Sequence, residues 1–253
     1  MMKLITLFEN LVFPPKCACC GNFLDVDITK KVVSPLCVSC RAEYEMEKSY
    51  ECPTCGLGMS FCSCMPKLME RAQCTCLLKL VAYKQDRKKE SISNFIHSVK
   101  YIRNRDTISF FAEQMRGLLI TYMRAEGLMP DNCVITYLPR SRQNLNEVGF
   151  DQSLILAKEL SKITGIKFVS CFKRKYFTPE QKSLSRVERR LNMNSAYTER
   201  DVGDEIADKT VILVDDIVTT GSSMAACTRL LYSMGAYAVM GICLGRTERK
   251  NKK

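Results

Sequence analysis

The sequence predicts an α/β protein whose mostly parallel sheet and flanking helices follow a small cysteine-rich module. Short aliphatic runs alternate with segments of helical periodicity after residue 77, as in sheets covered by helices on both faces. All but four of the 15 cysteines lie before that point, among turn residues. We therefore expect an N-terminal module over residues 1–70, an α/β domain over residues 71–245 and a basic disordered tail over residues 246–253.

Composition indicates the cellular compartment of the protein and the classes of molecule it binds. The chain has 253 residues, 46% of them hydrophobic, and a formal net charge of +11, which favours polyphosphates or nucleic acids as partners. The apolar run 4–12 is broken by Glu9 and Asn10 and ends in Pro14-Pro15, unlike a secretory leader, and no run is long enough to span a membrane. An odd, clustered cysteine set then indicates metal-bound thiolates in a reducing cytoplasm.

The first cysteine set follows an apolar helical stripe over residues 1–13, which we expect to dock on the cysteine-rich module. Two Cys-x-x-Cys knuckles separated by 16 residues come next, a spacing typical of zinc ribbons, because each knuckle lets two sulfurs reach one tetrahedral ion. Cys19 is the spare thiol. The predicted ligands of a structural zinc ion are Cys17, Cys20, Cys37 and Cys40.

A second set contains six cysteines for four positions. Cys52 and Cys55 form a good knuckle, and either the pair Cys62 and Cys64 or the pair Cys74 and Cys76 completes the site. The later pair falls on one face of the predicted strand 77–83, where burial as small apolar groups is expected. We therefore predict a second structural zinc ion at Cys52, Cys55, Cys62 and Cys64. Two such sites would lower the formal charge to about +7.

The remaining elements follow from hydrophobic periodicity. Strands are predicted over residues 77–83, 134–138, 166–171, 211–214 and 237–244, and helices over residues 91–101, 108–125, 152–163 and 224–234. The stretch 172–194 is polar and rich in Lys and Arg. It is a mobile lid over the site, a nucleic-acid-facing loop or an ordinary solvated connection.

The stretch 211–223 carries the predicted binding chemistry. Asp215 and Asp216 end a buried strand, where open α/β sheets bind ligands. The hydroxyls and Gly that follow lead into a helix whose free N–H groups favour an anion. Two carboxylates suit vicinal hydroxyls, so a ribose 5-phosphate group fits both halves. The predicted anion-binding residues are Thr219, Thr220, Gly221, Ser222 and Ser223.

Basic residues elsewhere are candidates for pyrophosphate contacts. Arg140 and Arg142 follow the strand 134–138 and offer bidentate contacts. Lys100 lies one turn from Arg103 on a predicted helix, where a solvated helix face is the alternative. His97 is the single histidine of the chain, so neither a histidine metal cluster nor a serine hydrolase triad can be assembled around a second one.

The stretch 211–223 resembles the binding motif of type I phosphoribosyltransferases. Together with the cysteine knuckles, further segments resemble the ComF family, which is tied to natural competence and DNA uptake. These segments are Phe13-Pro14-Pro15-x-Cys17, Ile96-His97-x-x-Lys100-Tyr101, Leu138-Pro139-x-Ser141-Arg142, Gly149-Phe150-x-Gln152, Thr178-Pro179-x-Gln181-x-x-Leu184-Ser185 and Glu188-Arg189-x-x-Asn192.

The resemblance implies roles for the site residues. Asp215 and Asp216 would hold the ribose hydroxyls of phosphoribosyl pyrophosphate, and residues 219–223 its 5-phosphate. Mg²⁺ would accompany the ligand, with Arg140, Arg142 or Lys100 on the pyrophosphate. In a catalytic member Asp216 would also assist proton transfer from the acceptor.

One segment departs from the family pattern. The family usually has Arg-Gly-Phe-Asn-Gln where this chain has Val148-Gly149-Phe150-Asp151-Gln152, so any contact made by that arginine is missing. Arg140 and Arg142 are the candidates to compensate for it.

Three functions remain open from the sequence. The first is a phosphoribosyl-pyrophosphate-binding competence protein whose partners include single-stranded DNA or DNA-uptake proteins. The second is an active phosphoribosyltransferase, and the third is a zinc-stabilised scaffold with a vestigial site. Residues 17–64 hold more acidic than basic side chains, so the ribbons fit a protein-docking or dimerising module, with any DNA surface on the core.

Overall fold

The computed structural model describes residues 14–24, 34–83, 95–96, 105–140, 142–175 and 196–247, with the backbone alone at 142–144. The predicted helix 1–13, most of the predicted helix 91–101 and most of the polar stretch 172–194 lie outside these residues. The helices with described bounds are α1 Val38–Lys48, α2 Lys67–Arg71, α3 Arg105–Ala125, α4 Arg142–Val148, α5 Gln152–Thr164 and α6 Ser222–Ser233. Short 3-10 helices cover Met59–Phe61, Pro130–Asn132 and Gly203–Ile206.

Seven strands build two sheets in the described part of the chain. They are β1 Leu77–Tyr83, β2 Cys133–Tyr137, β3 Lys167–Phe168, β4 Phe172–Arg174, β5 Tyr197–Glu199, β6 Thr210–Val218 and β7 Ala238–Thr247. Five of them form a parallel sheet in the order β1-β7-β6-β2-β3, whereas β4 and β5 pair antiparallel. The mostly parallel sheet with flanking helices confirms the predicted fold class.

Strand β6 is central and buried on both faces. Ile212 and Val214 pack in one apolar layer with α3 and α5, and Val211 and Leu213 pack in the other with α6. Successive side chains of a strand point to opposite faces, so a continuous aliphatic run is what a sheet covered on both sides requires. The layer that contains Ile212 is called layer 1 below, and the layer that contains Val211 is called layer 2.

Helix α3 shows why periodicity located the helices well. It buries Ile108, Phe111, Met115, Leu119 and Met123, which are three or four residues apart and therefore share one face. Burying a side chain of this size contributes about 1.5–3 kcal/mol. The predicted helix 108–125 is confirmed, and the structure begins it three residues earlier, at Arg105.

Two strands are longer than the sequence predicts. Strand β6 continues past the acidic pair, because Ile217 pairs with Gly245 and Val218 with Arg246 of β7. Strand β7 likewise reaches Thr247, since Arg246 and Thr247 pair with the end of β1. Arg246 and Thr247 are therefore strand residues, in contrast to the disordered tail expected from residue 246, and residues 248–253 lie outside the described part.

The cysteine-rich module shares the core of the α/β domain. Tyr44 of α1 is fully buried, with its ring centroid 6.0 Å from that of Phe95 and 5.5 Å from that of Phe110. Cys17 and Leu36 also lie in layer 1. The predicted domain boundary near residue 70 remains a prediction. Among the residues that the structure describes, no helix has both the length and the apolar character that crossing a bilayer needs.

Candidate functional site

The acidic pair of β6 is held by a specific set of hydrogen bonds. Asp215 Oδ1 accepts from Ser153 Oγ at 3.1 Å and from the N–H of Asp216 at 2.9 Å. Asp216 Oδ1 accepts from the N–H of Ile217 at 2.7 Å, and its Oδ2 accepts from Arg140 Nη2. Asp216 is only 7% exposed. Burial, followed by the charge of Asp216, raises the pKa of Asp215 well above its ordinary value.

The same hydrogen bonds change the path of the strand. The acid side chains take up the N–H groups of Asp216 and Ile217, and the alternation of side chains reverses after the pair: Ile217 packs on layer 1 and Val218 lies in layer 2. An unperturbed strand would place them the other way round. The acidic pair therefore marks the point at which β6 turns toward the site.

Asp151 connects helix α5 to the site. Its Oδ1 caps the helix by accepting from the N–H of Leu154 at 3.3 Å, and its Oδ2 accepts from the backbone N–H of Arg140 at 2.9 Å. Burial raises the pKa of Asp151. The residue that departs from the family pattern thus fixes the backbone of Arg140, and a carboxylate suits the positive end of the helix dipole.

Arg174 and Tyr197 face the acidic pair from the small antiparallel sheet, where they are cross-strand partners. Arg174 Nη1 donates to Tyr197 Oη and to the carbonyl oxygen of Pro139, both at 3.2 Å. The guanidinium carbon lies 5.1 Å from the tyrosine ring centroid, in a cation–π contact. Its Nε is buried and has no hydrogen-bond partner among the described residues. Burial raises the pKa of Tyr197 to about 12, which keeps its hydroxyl a donor.

These side chains surround one cavity of about 190 Å³ at the carboxyl edge of the parallel sheet. Two acids and two arginines contribute to its wall, so the cavity offers both hydrogen-bond acceptors and cations, with Arg140 paired to Asp216. The lining residues are Leu138, Pro139, Arg140, Arg174, Tyr197, Asp215, Asp216 and Ser223.

The stretch 219–223, called the phosphate loop below, leads into helix α6. Gly221 is the N-cap residue with φ +73°, and no side chain caps the helix. Thr220 Oγ1 lies 2.8 Å from Ser222 Oγ and accepts from the N–H of Ser222 at 3.4 Å. Ser223 lines the cavity. The uncapped first turn leaves backbone donors and the positive dipole end available to an anion.

The structure places four of the predicted ligand-binding residues at one cavity, whereas the neighbouring residues 219–222 are described but do not line it. Asp215, Asp216, Arg140 and Ser223 line the same cavity. Lys100 and His97 lie outside the described residues, and Arg142 begins helix α4 with a side chain that is also outside them.

Sequence reasoning missed Arg174, Tyr197 and Ser153. Arg174 belongs to the stretch 172–194, where the many other cations in the sequence give no sign that this one is partly buried. Tyr197 and Ser153 lie 18 and 62 residues from Asp215, so no local spacing identifies them. Neither Phe172–Arg174 nor Tyr197–Glu199 alternates apolar and polar residues, so periodicity gave no signal for this strand pair.

The cysteines form two groups of four, each with all sulfur atoms within 4.8 Å of one another. The eight predicted ligands are confirmed as two groups, Cys17, Cys20, Cys37, Cys40 and Cys52, Cys55, Cys62, Cys64. Cys74 and Cys76 are buried apolar groups instead. Four sulfurs at about 2.3 Å from a tetrahedral ion lie about 3.8 Å apart. The Sγ atoms of Cys20 and Cys37 are 3.8 Å apart, so the first group fits a tetrahedral metal ion.

Both groups start with the same turn. The N–H of Gly21 bonds the carbonyl of Cys17, and the N–H of Gly56 bonds that of Cys52, with φ of +77° and +72° at the two glycines. Burial opposes ionisation, but backbone N–H donors outweigh it and lower the pKa of Cys17 to about 7 and that of Cys52 to about 6. A lowered pKa favours the thiolate that binds metal.

The fold and the site define a phosphoribosyltransferase-like protein, with an acidic pair on the central strand of a parallel sheet and a helix N-terminus after it. Residues 151–252 match the phosphoribosyl transferase domain family. The chain therefore carries this domain, as the resemblance of residues 211–223 predicts.

The relatives point to a narrower group. The chain is 29% identical over 216 residues to DNA utilization protein YhgH from Escherichia coli (strain K12), which covers 84% of this chain and 90% of that protein. It is 33% identical over 88 residues to Competence protein F from Haemophilus influenzae, covering 34% of this chain and 38% of that protein. With the two cysteine groups, these relatives confirm the predicted ComF-family resemblance.

A solved structure gives a weaker match. The purine phosphoribosyltransferase from Pyrococcus horikoshii Ot3 is 18% identical, covers 53% of this chain and 71% of that chain, and aligns with a TM-score of 0.33. A TM-score of this size carries no structural argument. The fold assignment therefore rests on the sheet topology and the matched domain.

Proposed function

We propose that the chain binds phosphoribosyl pyrophosphate together with Mg²⁺ at the cavity beside β6, as a ComF-like protein that serves DNA utilisation. The observation that carries this proposal is the wall of the cavity, where Asp215 and Asp216 lie together with Arg174 and with Arg140, which pairs with Asp216, beside the start of helix α6. A ligand with vicinal hydroxyls, a phosphate and a pyrophosphate matches all three parts.

The acidic pair is the proposed ribose subsite. Carboxylate oxygens accept hydrogen bonds from both hydroxyls, whereas they would repel a phosphate. Asp215 keeps Oδ2 for a hydroxyl, since its Oδ1 accepts from Ser153 and from the backbone. Asp216 Oδ2 accepts from Arg140, so the ribose hydroxyl shares this oxygen or displaces the guanidinium.

The phosphate loop is the proposed 5-phosphate subsite. Thr219 and Thr220 are exposed, and the N-cap residue Gly221 gives no side-chain cap, so of the first N–H groups of α6 only that of Ser222 has a side-chain acceptor, Thr220 Oγ1, among the hydrogen bonds described above. Oriented N–H groups at a helix N-terminus bind phosphate without burying a counter-charge. All five hydroxyl-bearing and glycine positions predicted from the sequence, residues 219–223, take part in this proposal.

Arginines are the proposed pyrophosphate contacts. Arg140 is fixed through Asp151, and Arg174 has a buried Nε with no partner among the described residues. Arg142 and Lys100 remain further candidates from the sequence. Mg²⁺ prefers oxygen ligands, which the acids and the ligand itself supply, and it would neutralise charge on the pyrophosphate.

Zn²⁺ is the proposed metal of both cysteine groups. Four thiolates suit Zn²⁺ and leave no open position for water, so the ions are structural. We place the protein in the cytoplasm, because clustered thiols that bind metal must stay reduced and that compartment is reducing.

The relatives carry the DNA-related part of the proposal. The matched proteins are named for DNA utilisation and competence, and the formal charge of +11 fits an anionic partner. We propose single-stranded DNA or DNA-uptake proteins as partners. Single-stranded DNA should bind with an affinity that falls steeply with salt, as fluorescence anisotropy at two salt concentrations would show. Unchanged affinity would contradict the DNA part.

Turnover is the alternative to simple binding. A phosphoribosyltransferase would use Asp216 to assist proton transfer and Arg142 or Arg140 to stabilise the departing pyrophosphate. The cavity supports this alternative because both acids and two arginines line it. The third possibility from the sequence, a scaffold with a vestigial site, is less favoured, because the acidic pair and Ser223 of the motif line one polar cavity.

Titration calorimetry with separate ligand fragments tests the proposal. Phosphoribosyl pyrophosphate with Mg²⁺ should bind more tightly than ribose 5-phosphate or pyrophosphate alone, because only the whole ligand reaches all three subsites. Pyrophosphate assayed in the same samples with candidate bases distinguishes an enzyme from a binding protein. Absence of binding at millimolar ligand would contradict the proposal.

A further inference from the structure

The second cysteine group is linked to the phosphate loop by a short segment. Residues 62–73, called the clamp segment below, run from Cys62 through helix α2 to Gln73. At Gly221, an added Cβ would lie 2.9 Å from Met69 Cγ and 3.0 Å from Pro66 Cβ. The clamp segment therefore packs directly against the backbone of the phosphate loop at Gly221.

Met69 fills the space that two glycines leave. It is fully buried in layer 2, and an added Cβ at Gly241 of β7 would lie 3.2 Å from its methyl carbon. Any side chain at Gly221 or Gly241 would collide with it or with its neighbours. Met69 thus sets the distance between the sheet and the phosphate loop.

The sheet holds the metal-binding end of the clamp segment. Lys79 of β1 is fully buried and donates to the carbonyl oxygens of Cys62 at 2.7 Å and Cys64 at 3.0 Å, and to Cys62 Sγ at 3.1 Å. Arg246 of β7 donates to the same carbonyl of Cys64 at 3.2 Å. Four thiolates on a divalent ion leave about two negative charges, which these cations offset.

Helix α6 contacts the other end of the clamp segment, at Gln73. Tyr232 Oη donates to the carbonyl oxygen of Gln73 at 2.8 Å. The segment is thus fixed to the sheet and the second cysteine group at one end and to the helix behind the phosphate loop at the other. The first cysteine group has no such link among the described residues, since Cys17 and Cys40 lie in layer 1, on the opposite face of the sheet.

We propose that the clamp segment positions the phosphate loop and that metal at the second cysteine group, but not at the first, maintains this position. Pro66 and Met69 are positioning residues, which touch the loop and not the ligand. The effect on ligand affinity rests on the proposed function, whereas the effect on the loop itself does not.

Two matched variants separate the cysteine groups. Cys55 and Cys20 are the exposed members of the second and first groups, so Cys55→Ser and Cys20→Ser should each lose one metal ion per chain. The reporter is hydrogen exchange of the Ala225 N–H, which bonds Gly221 O at 2.8 Å. We expect about 10-fold faster exchange in Cys55→Ser and less than about twofold in Cys20→Ser, in the ligand-free protein.

Unchanged exchange in a Cys55→Ser protein that has lost one metal would overturn the proposal, as would equal acceleration in both variants. A second pair covers the case in which Cys55→Ser does not fold. Met69→Ala should accelerate exchange at Ala225 with full metal content, whereas Met123→Ala, which removes a buried methionine from layer 1, should not. An unchanged exchange rate of the Ala225 N–H in Met69→Ala would overturn the proposal.

Titration of the same proteins with phosphoribosyl pyrophosphate and Mg²⁺ distinguishes the claim that the clamp segment positions the phosphate loop from the claim that the chain binds this ligand. Binding weakened about 10-fold or more in Cys55→Ser but retained in Cys20→Ser supports both. Faster exchange in Cys55→Ser, with no binding even to the wild-type chain, leaves the clamp standing and refutes the proposed ligand. Equal affinity of the wild-type chain and Cys55→Ser would overturn the coupling to the ligand.

Discussion

Asp215 lies at the centre of the site, partly shielded from water and beside a second carboxylate. Ser153 and the backbone N–H of Asp216 satisfy one of its oxygens. Burial and the neighbouring charge still raise its pKa, so the ionised carboxylate opposes folding at neutral pH. On the proposed function, a ligand with hydroxyl groups would compensate this cost, which is a local trade of stability for binding.

Asp215→Asn should therefore stabilise the ligand-free protein. In the folded protein the pKa of Asp215 lies above its ordinary value of 3.8, so at pH 7 this carboxyl lowers the free energy of unfolding. The destabilisation vanishes below pH 3.8, where the carboxyl is neutral in both the folded and the unfolded protein. Thermal unfolding at pH 7 and near pH 4 measures this. We expect a higher Tm for the variant at pH 7, by about 2–4 °C for each kcal/mol, and a smaller gain near pH 4. A lower Tm for the variant at pH 7 would contradict the account.

Arg174→Met tests the arginine that sequence reasoning missed. Hydrogen bonds to charged groups contribute about 1.5–3 kcal/mol, so the affinity for phosphoribosyl pyrophosphate should fall about 10-fold or more. Lys173→Met is the matched control, because Lys173 is exposed on the same strand. Calorimetric titration compares the two variants. Equal affinities would remove Arg174 from the site.

Residues within one continuous stretch could be predicted, and residues joined only by the fold could not. Asp215, Asp216 and Ser223 belong to one local motif whose chemistry is readable from its sequence. Arg174 and Tyr197 reach the cavity because β4 pairs with β5, and that pairing depends on the tertiary structure. The cysteines fall between these cases, since knuckle spacing identified the pairs and burial decided between Cys64 and Cys76.

The phosphate loop and helix α6 depend on a backbone conformation that only glycine adopts easily. Gly221 and Gly165 both have positive φ, at +73° and +75°, but only Gly221 has neighbours where a Cβ would stand. An L-residue at such a φ costs about 1–2 kcal/mol. Gly221→Ala adds a collision with Met69 to this cost, whereas Gly165→Ala does not.

Urea unfolding of the two variants should separate these contributions. Gly165→Ala should lower the free energy of unfolding by about 1–2 kcal/mol, and Gly221→Ala by at least about 1 kcal/mol more. A cost for Gly221→Ala no larger than that for Gly165→Ala would mean that Met69 moves aside freely, which would contradict the packing described above.

Hydrophobic periodicity predicted the existence and type of the elements better than their ends. The continuous run Val211 to Val214 located β6 because both faces of a central strand are buried. Its last residues were missed, since acids and exposed threonines follow the run while pairing with β7 continues through Val218. Arg246 was assigned to a tail for the same reason, because ladder pairing with β1 leaves no mark on its own sequence.

At the scale of the whole molecule, two apolar layers cover the sheet, layer 1 contains two cysteines of the first group, and the second group has a small apolar cluster of its own with Met59 and Ala82. Layer 1 includes Cys17 and Cys40, and layer 2 includes Met69 just after the second group. A module of this size has little core of its own, so metal binding should contribute to the stability of the entire chain.

Metal removal should accordingly lower the thermal stability. A strong chelator with a thiol reductant should release two Zn²⁺ per chain and reduce Tm by on the order of 10 °C or more, since each kcal/mol corresponds to about 2–4 °C. Adding Zn²⁺ back should restore the Tm, which controls for irreversible damage. A chelated protein with an unchanged Tm and no bound metal would contradict the structural role of the cysteine groups.

The most direct test of the central claim is a calorimetric titration of the zinc-loaded protein with phosphoribosyl pyrophosphate and Mg²⁺. The Asp215→Asn, Asp216→Asn double variant should lose binding. An Asp131→Asn, Asp204→Asn control makes the same charge change at exposed positions that precede β2 and β6, at the opposite edge of the sheet, and should bind like the wild-type chain. Binding that survives in the first double variant, or that is absent from the wild-type chain, would contradict the claim.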